Sequence, residues 1–264
     1  MAITSWDGFI ASAKQRVTLQ KTASRTAVAA IPFSVFELAG NPGAGTLAGA
    51  NTANGVVPTD ATAGCPTINA FGGSKGYITR FEFAAPVAMR VTLYDMLFKA
   101  GAYAFNAATS LTSQPSYSSR VPNGTDFKGT EIWIETVTAF TGNMSIAVTY
   151  TNQDGTTART TGTVATGVAP TVGRMIQLPL QAGDTGVQKI ESVTATVASV
   201  GTFNVLVLRP LATGRVAVAN GGDVQGLDRT GMVEVFADSA LVLQVIPDST
   251  ATSTPELKID ISNG

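Results

Sequence analysis

Along most of this chain apolar residues recur at every second position, the spacing of a strand with one face buried. YITRFEF (77–83) alternates in this way and meets VAMRVTLY (87–94) after Pro86, whose missing N–H suits a strand start or an edge. EIWIETVTAF (131–140) turns at Thr141-Gly142-Asn143 into SIAVTYT (145–151), where Ile146, Val148 and Tyr150 share a face. Asp154-Gly155 then marks a hairpin, because glycine and aspartate tolerate the positive φ of tight turns, with a loop of two residues or of three with a bulge. Further strands are expected at RMIQLPL (174–180), VQKIESVTATV (187–197), FNVLVLRPL (203–211), RVAVA (215–219), MVEVFA (232–237), ALVLQVI (240–246) and ELKIDI (256–261). VLVL is apolar without interruption and predicts a central strand buried on both faces.

Two segments break the pattern. TSWDGFIASAKQRVTL (4–19) places Trp6, Phe9, Ile10, Ala13 and Val17 near helical spacing, and Thr4 and Asp7 are spaced like a capping box. A helix is therefore expected there, although Gly8 in its interior costs about 1 kcal/mol relative to alanine. Lys14, Arg16, Lys21 and Arg25 make this region basic. Its apolar stripe has two readings, packing on its own domain or docking on another subunit.

From Gly40 to Gly76 the chain is dense in glycine and proline, far longer than an ordinary connection of about 4–6 residues. Such a segment is either disordered when free or ordered against a neighbour. A short helical turn is expected at 95–102, and polar loop over 106–130. Many short strands with almost no helix predict an all-β protein, with a β-sandwich or jelly-roll-like body. The expected division is an N-terminal arm and extended Gly/Pro-rich segment over 1–76, and the β-body over 77–264.

Charge changes the picture next. Only 13% of the 264 residues are charged, about half the roughly 25% of an ordinary soluble domain, and mean hydropathy is +0.21. No run of about 18 apolar residues exists to cross a membrane as a helix. The 2 Trp and 5 Tyr are few for the aromatic girdles of a membrane barrel. MAITSWDGFIASAKQ has no basic region followed by an apolar stretch, so no secretory signal is expected and folding in a cytoplasm is. The net charge of −1 supplies no field to hold phosphates, which argues against nucleic acid as a partner. A surface this poor in charge is kept dispersed by threonine hydroxyls or is covered by neighbouring subunits.

Candidate chemistry is sparse. With no histidine there is no imidazole base and no Ser-His-Asp or Cys-His triad; with one cysteine, Cys65, no internal disulfide and no zinc ligand set. No catalytic residue, metal or cofactor is expected. Glu131, Glu135 and Glu191 fall on expected strands, and Trp133 between the first two makes a carboxylate and aromatic cluster that could take a sugar. FGGSKG (71–76) lacks the spacing of a phosphate-binding loop, and GGDVQGLDRTG (221–231) reads as a turn rather than a calcium loop.

The phrases GVVPTDATAGCPTI (55–68), YITRFEFAAPVAMRVTLYDMLFKAGAYAFNAA (77–108) and GTEIWIETVTAFTGNMSIAVTYTNQDGTTARTTGTVA (129–165) resemble tailed-bacteriophage virion proteins. The likeness extends over most of the chain after about residue 40. It implies a structural component of the virion, assembled in the bacterial host cytoplasm. The expected role is a decoration or cement protein, since no spine helix of the common phage capsid fold is present. The partners so implied are the major capsid protein and further copies of this chain, a trimer at local threefold positions being one arrangement. Trp6, Phe9, Ile10, Leu38 and Leu47 are the expected contact residues of the arm, each of which can equally pack on its own body. Deleting residues 1–30 is expected to leave a folded body that no longer binds heads. A tail or neck component, and a carbohydrate-binding module using the Trp133 face, are the alternatives.

Overall fold

The computed structural model describes residues 5–73, 75–165, 170–196 and 200–264. In chain order the strands are β1 (Lys14–Lys21), β2 (Phe33–Ser34), β3 (Gly40–Asn41), β4 (Lys75–Ala85), β5 (Met89–Ala104) and β6 (Ala107–Ser110). They continue with β7 (Glu131–Thr138), β8 (Ser145–Asn152), β9 (Arg159–Thr160), β10 (Val164–Ala165), β11 (Met175–Leu178) and β12 (Val187–Thr196). The last are β13 (Thr202–Val216), β14 (Gly221–Gln225), β15 (Glu234–Phe236), β16 (Leu241–Pro247) and β17 (Glu256–Asn263). Two short α-helices, α1 (Trp6–Ala11) and α2 (Leu227–Thr230), and two 3-10 turns, Ser118–Arg120 and Pro122–Gly124, complete the described elements. The protein is all-β and sandwich-like, as the alternating pattern predicts.

The organising element is an antiparallel sheet in the order β11-β7-β13-β5-β16-β2. It curls until its ends meet: Ser34 N–H donates to the Gly173 carbonyl at 2.8 Å and Met175 N–H to the Pro32 carbonyl at 2.9 Å. Inside the curl lie Phe36, Tyr94, Met96, Trp133, Met175, Leu206, Leu208 and Val242. The opposite face carries the alternate residues and is covered by two separate sheets.

One is the sheet β10-β8-β12-β6, with β9 also on β8; its Ile146, Val148, Tyr150, Ile190 and Val193 pack on Phe98, Ile132, Ile134, Phe203, Val205 and Val207. The other is β14-β4-β17-β1-β3, with β15 also on β4; its Val17, Leu19, Ile78, Phe81, Phe83, Leu257 and Ile259 pack on Val91, Leu93, Leu211, Leu243 and Val245. Two sandwiches thus share one sheet, and the long strands β5 and β13 run from one to the other. Where they pass over, Asp95 and Arg120 form a fully buried ion pair.

Several local expectations are corrected. The helix ends at Ala11, and residues 14–21 form β1, where Val17, Leu19 and Lys21 are buried at period two. Gly8 is accommodated inside the helix; beyond Ala11, pairing from Lys14↔Ser262 to Gln20↔Glu256 overrides a weak helical spacing. Thr4 lies outside the described residues; Ser5 is the cap, its Oγ accepting from Gly8 N–H at 3.1 Å. Residues 95–102 are strand because β13 pairs one edge of β5 throughout, while β16 pairs the other as far as Asp95 and Val56 bridges it again at Lys99. Residues 221–225 pair with β4 instead of turning, and of 215–219 only Arg215 and Val216 are strand, ending β13. Val197 of the expected strand lies outside the described residues.

The opening of the 148–164 hairpin is the three-residue form. Gly155 N–H donates to the Asn152 carbonyl at 3.1 Å, Asn152 N–H to the Thr156 carbonyl at 2.9 Å, and Gly155 sits at φ 82°.

Candidate functional site

Chemistry-bearing residues are mostly consumed by the fold. Trp133 is 6% exposed; its Nε1–H donates to Glu131 at 2.7 Å, and the Tyr94 hydroxyl donates to the same carboxylate at 3.2 Å. A ring enclosed in this way has no face for a sugar, which removes the basis of the carbohydrate-binding alternative. Glu135 accepts from Asn204 Nδ2 at 2.8 Å, and Glu191 from Thr151 Oγ1 at 2.7 Å. Among the described residues no group of three or more Cys, Asp or Glu side chains is placed to hold a metal ion. Cys65 is buried, which pushes its thiol up to about 12 and keeps it protonated.

The glycine-rich segment is held down by polar side chains that rise from the sheets. Lys99 Nζ donates to the Thr46 carbonyl at 2.8 Å, Asn204 to the Leu47 carbonyl at 2.6 Å, and the Tyr103 hydroxyl to the Thr52 carbonyl at 2.8 Å. Lys21 reaches the Leu38 carbonyl at 3.1 Å and the Pro42 carbonyl at 3.3 Å, and Arg120 donates to the Pro58 carbonyl. Burial pushes Lys21 and Lys99 below the usual lysine range. Glycine is required for this close fit: a Cβ at Gly55, itself at φ 67°, falls 2.1 Å from the Phe98 ring. Described residues 40–73 are therefore ordered against their own chain. Leu38 is half-buried against the core of the β1 sandwich, and Leu47 is half-buried in the held segment.

The arm residues divide accordingly. Trp6, Phe9 and Ile10 come together on α1, away from Leu38 and Leu47. No residue of this helix is buried; Trp6 and Ile10 are each 70% exposed, and Phe9 is half-buried. The Trp6 and Phe9 rings meet edge to face at 6.1 Å, and Lys14 Nζ lies 4.6 Å from the Phe9 ring centroid. Lys14 also donates to the carbonyls of Phe9, Ile10 and Ser12 at 2.8, 3.3 and 3.2 Å, stopping the helix and tying it to β1. The result is a small apolar platform presented on a strand rooted in the body.

β1 has a further property that the alternation could not reveal. On one side it pairs with β17, but on the other β3 covers only Gln20 and Lys21. Lys21 N–H donates toward β17, to Pro255, and Thr22 N–H toward β3, to Ala39. Residues of even number in β1 therefore turn their backbone groups to the open side.

No family model matches this chain, and no curated protein does. Among solved structures, it superposes on the VP2 subviral particle of infectious bursal disease virus with 8% identity, over 96% of this chain and 80% of that one, at a TM-score of 0.20. The T13 viral particle of the same virus gives 8%, 96%, 78% and 0.19, and its Gx strain 10%, 95%, 80% and 0.15. At these TM-scores the similarity bears on neither fold nor function.

Proposed function

We propose that this protein is a non-enzymatic structural component of a phage virion, a decoration or cement protein that binds the major capsid protein and further copies of itself. The observation that carries this reading is α1, a helix with no fully buried residue that holds out Trp6 and Ile10. Two features support it. The sequence resembles tailed-phage virion proteins over most of its length after residue 40. Its surface is also poorer in charge than the composition states, because Lys21, Asp95, Lys99, Arg120, Glu135 and Arg209 are all buried. Such a surface favours coverage by neighbouring subunits.

Stabilisation would come from apolar area buried at subunit seams, about 25 cal/mol per Å², repeated by symmetry over the shell. The test is the position and copy number of the protein in purified particles, by electron cryo-microscopy. Density on the head at symmetry-related seams is the expected result. Stacked rings along the tail would place it in the tail, and absence from particles would remove the reading.

A further inference from the structure

We infer that the open edge of β1 is a strand-addition site, which takes an extended, acidic segment of another virion protein. This rests on the virion reading above and adds how the contact is made. The backbone N–H and C=O groups of Lys14, Arg16 and Thr18 face away from β17, and β3 stops at Gln20. Among the described residues no group bonds to these outward atoms. Gln15 reaches Asn69 at 2.9 and 2.8 Å through its side chain and engages none of these outward backbone groups. An unpaired edge is a template for another strand, and proteins normally blunt it.

The chemistry of the edge selects the occupant. Its outer row is Lys14, Arg16 and Thr18: Arg16 is already paired with Asp260 of β17 at 2.7 and 2.9 Å, whereas Lys14 donates to neutral carbonyls and, among the described residues, no carboxylate pairs with it. A second copy pairing antiparallel over all five open residues sets Arg16 opposite Arg16 of the partner and leaves Lys14 without a carboxylate, and directly opposed like charges are destabilising. A strand with a carboxylate opposite Lys14 meets no such conflict and supplies the counterion that Lys14 lacks among the described residues. Beyond Lys14 the added strand runs on to α1, where Trp6 and Ile10 offer apolar contact. Main-chain bonds supply affinity along β1, and the helix fixes the end of the register.

The experiment uses full-length protein and heads purified from phage lacking it. Thr18→Pro removes an outward N–H without touching the β17 ladder, a substitution that edge strands accept. It is expected to melt close to the parent and to bind heads at least about tenfold more weakly. Thr18→Glu is expected to weaken binding and Thr18→Lys to preserve it. Amide hydrogen exchange on the parent protein gives an answer that is independent of any variant's folding: the Arg16 and Thr18 amides should exchange at least about tenfold more slowly on heads than free. Parent binding with unchanged exchange at both amides overturns the strand-addition site and leaves the virion reading intact. Protection of the same amides in a dimer formed without heads would make the edge a self-interface and overturn the heterologous partner. Failure of the parent protein to bind heads at all defeats the virion reading, and the inference falls with it.

Discussion

Arg120 is fully buried, and its guanidinium contacts Asp95, the Met96 carbonyl at 2.7 Å and the Pro58 carbonyl. Asp95 also accepts from Ser239 Oγ at 2.7 Å and Ala240 N–H at 3.0 Å, with Arg209 3.6 Å away. One cation thus joins strand β5 to the glycine-rich segment at the passage between the two sandwiches. Removing Arg120 leaves the buried Asp95 with only the longer contact to Arg209 as counterion, so Arg120→Met should lower stability by about 3 kcal/mol in urea denaturation. A second residue-scale expectation concerns acid. Hydrogen bonds from Arg159 hold the Asp184 carboxyl down to about 2, and Asn152 and Tyr150 add to them. An ordinary unfolded aspartate titrates near about 3.9, so this clamp stabilises the fold fully above that pH and is lost as pH falls toward about 2. Amide exchange around Asn152–Arg159 should rise across that window, and Asp184→Asn should flatten the dependence. Neither group was legible in the sequence: Asp95 sat in a stretch read as a helical turn, and only the fold brings Asp184 to Arg159.

At the scale of elements, α1 and β1 are adjacent in sequence but opposite in role. Removing residues 1–12 takes away no buried residue among those described, and the melting temperature should stay within a few degrees of the parent. Removing residues 1–21 strips Val17 and Leu19 from the core, about 3–6 kcal/mol of burial, and uncovers β17. That variant should unfold or aggregate, which is why a deletion of residues 1–30 does not separate arm from body. The difference was partly visible beforehand. Trp6, Phe9 and Ile10 were recognisable as a helical stripe, but Val17 was assigned to the same stripe because a period of 3.6 and a period of 2 overlap over so short a run. The strands from β4 to β17 that alternate cleanly, such as 77–83, 145–151 and 256–261, were legible because one face is wet. Among the strands of two to five residues, β11 and β15 were expected from their apolar runs, while β2, β3, β6, β9, β10 and β14 carry too few positions to show a period.

At the scale of the whole molecule, the sandwich class followed from alternation and turn spacing. The sharing of one curled sheet by two sandwiches did not follow, because it depends on β5 and β13 being long enough to serve both, and their apolar runs hide where one core ends. The platform of Trp6, Phe9 and Ile10 was legible as a candidate contact, while the bare edge of β1 was not, since it is a property of pairing. In the proposed role this body is fixed to a capsid through its amino-terminal element. Sedimentation of the parent protein and of the variant lacking residues 1–12 with purified heads tests it directly. The parent is expected to pellet with heads at a fixed stoichiometry, and the folded, truncated protein to stay in the supernatant. Equal pelleting of both, or a parent protein that remains a dispersed monomer indifferent to heads, would contradict it.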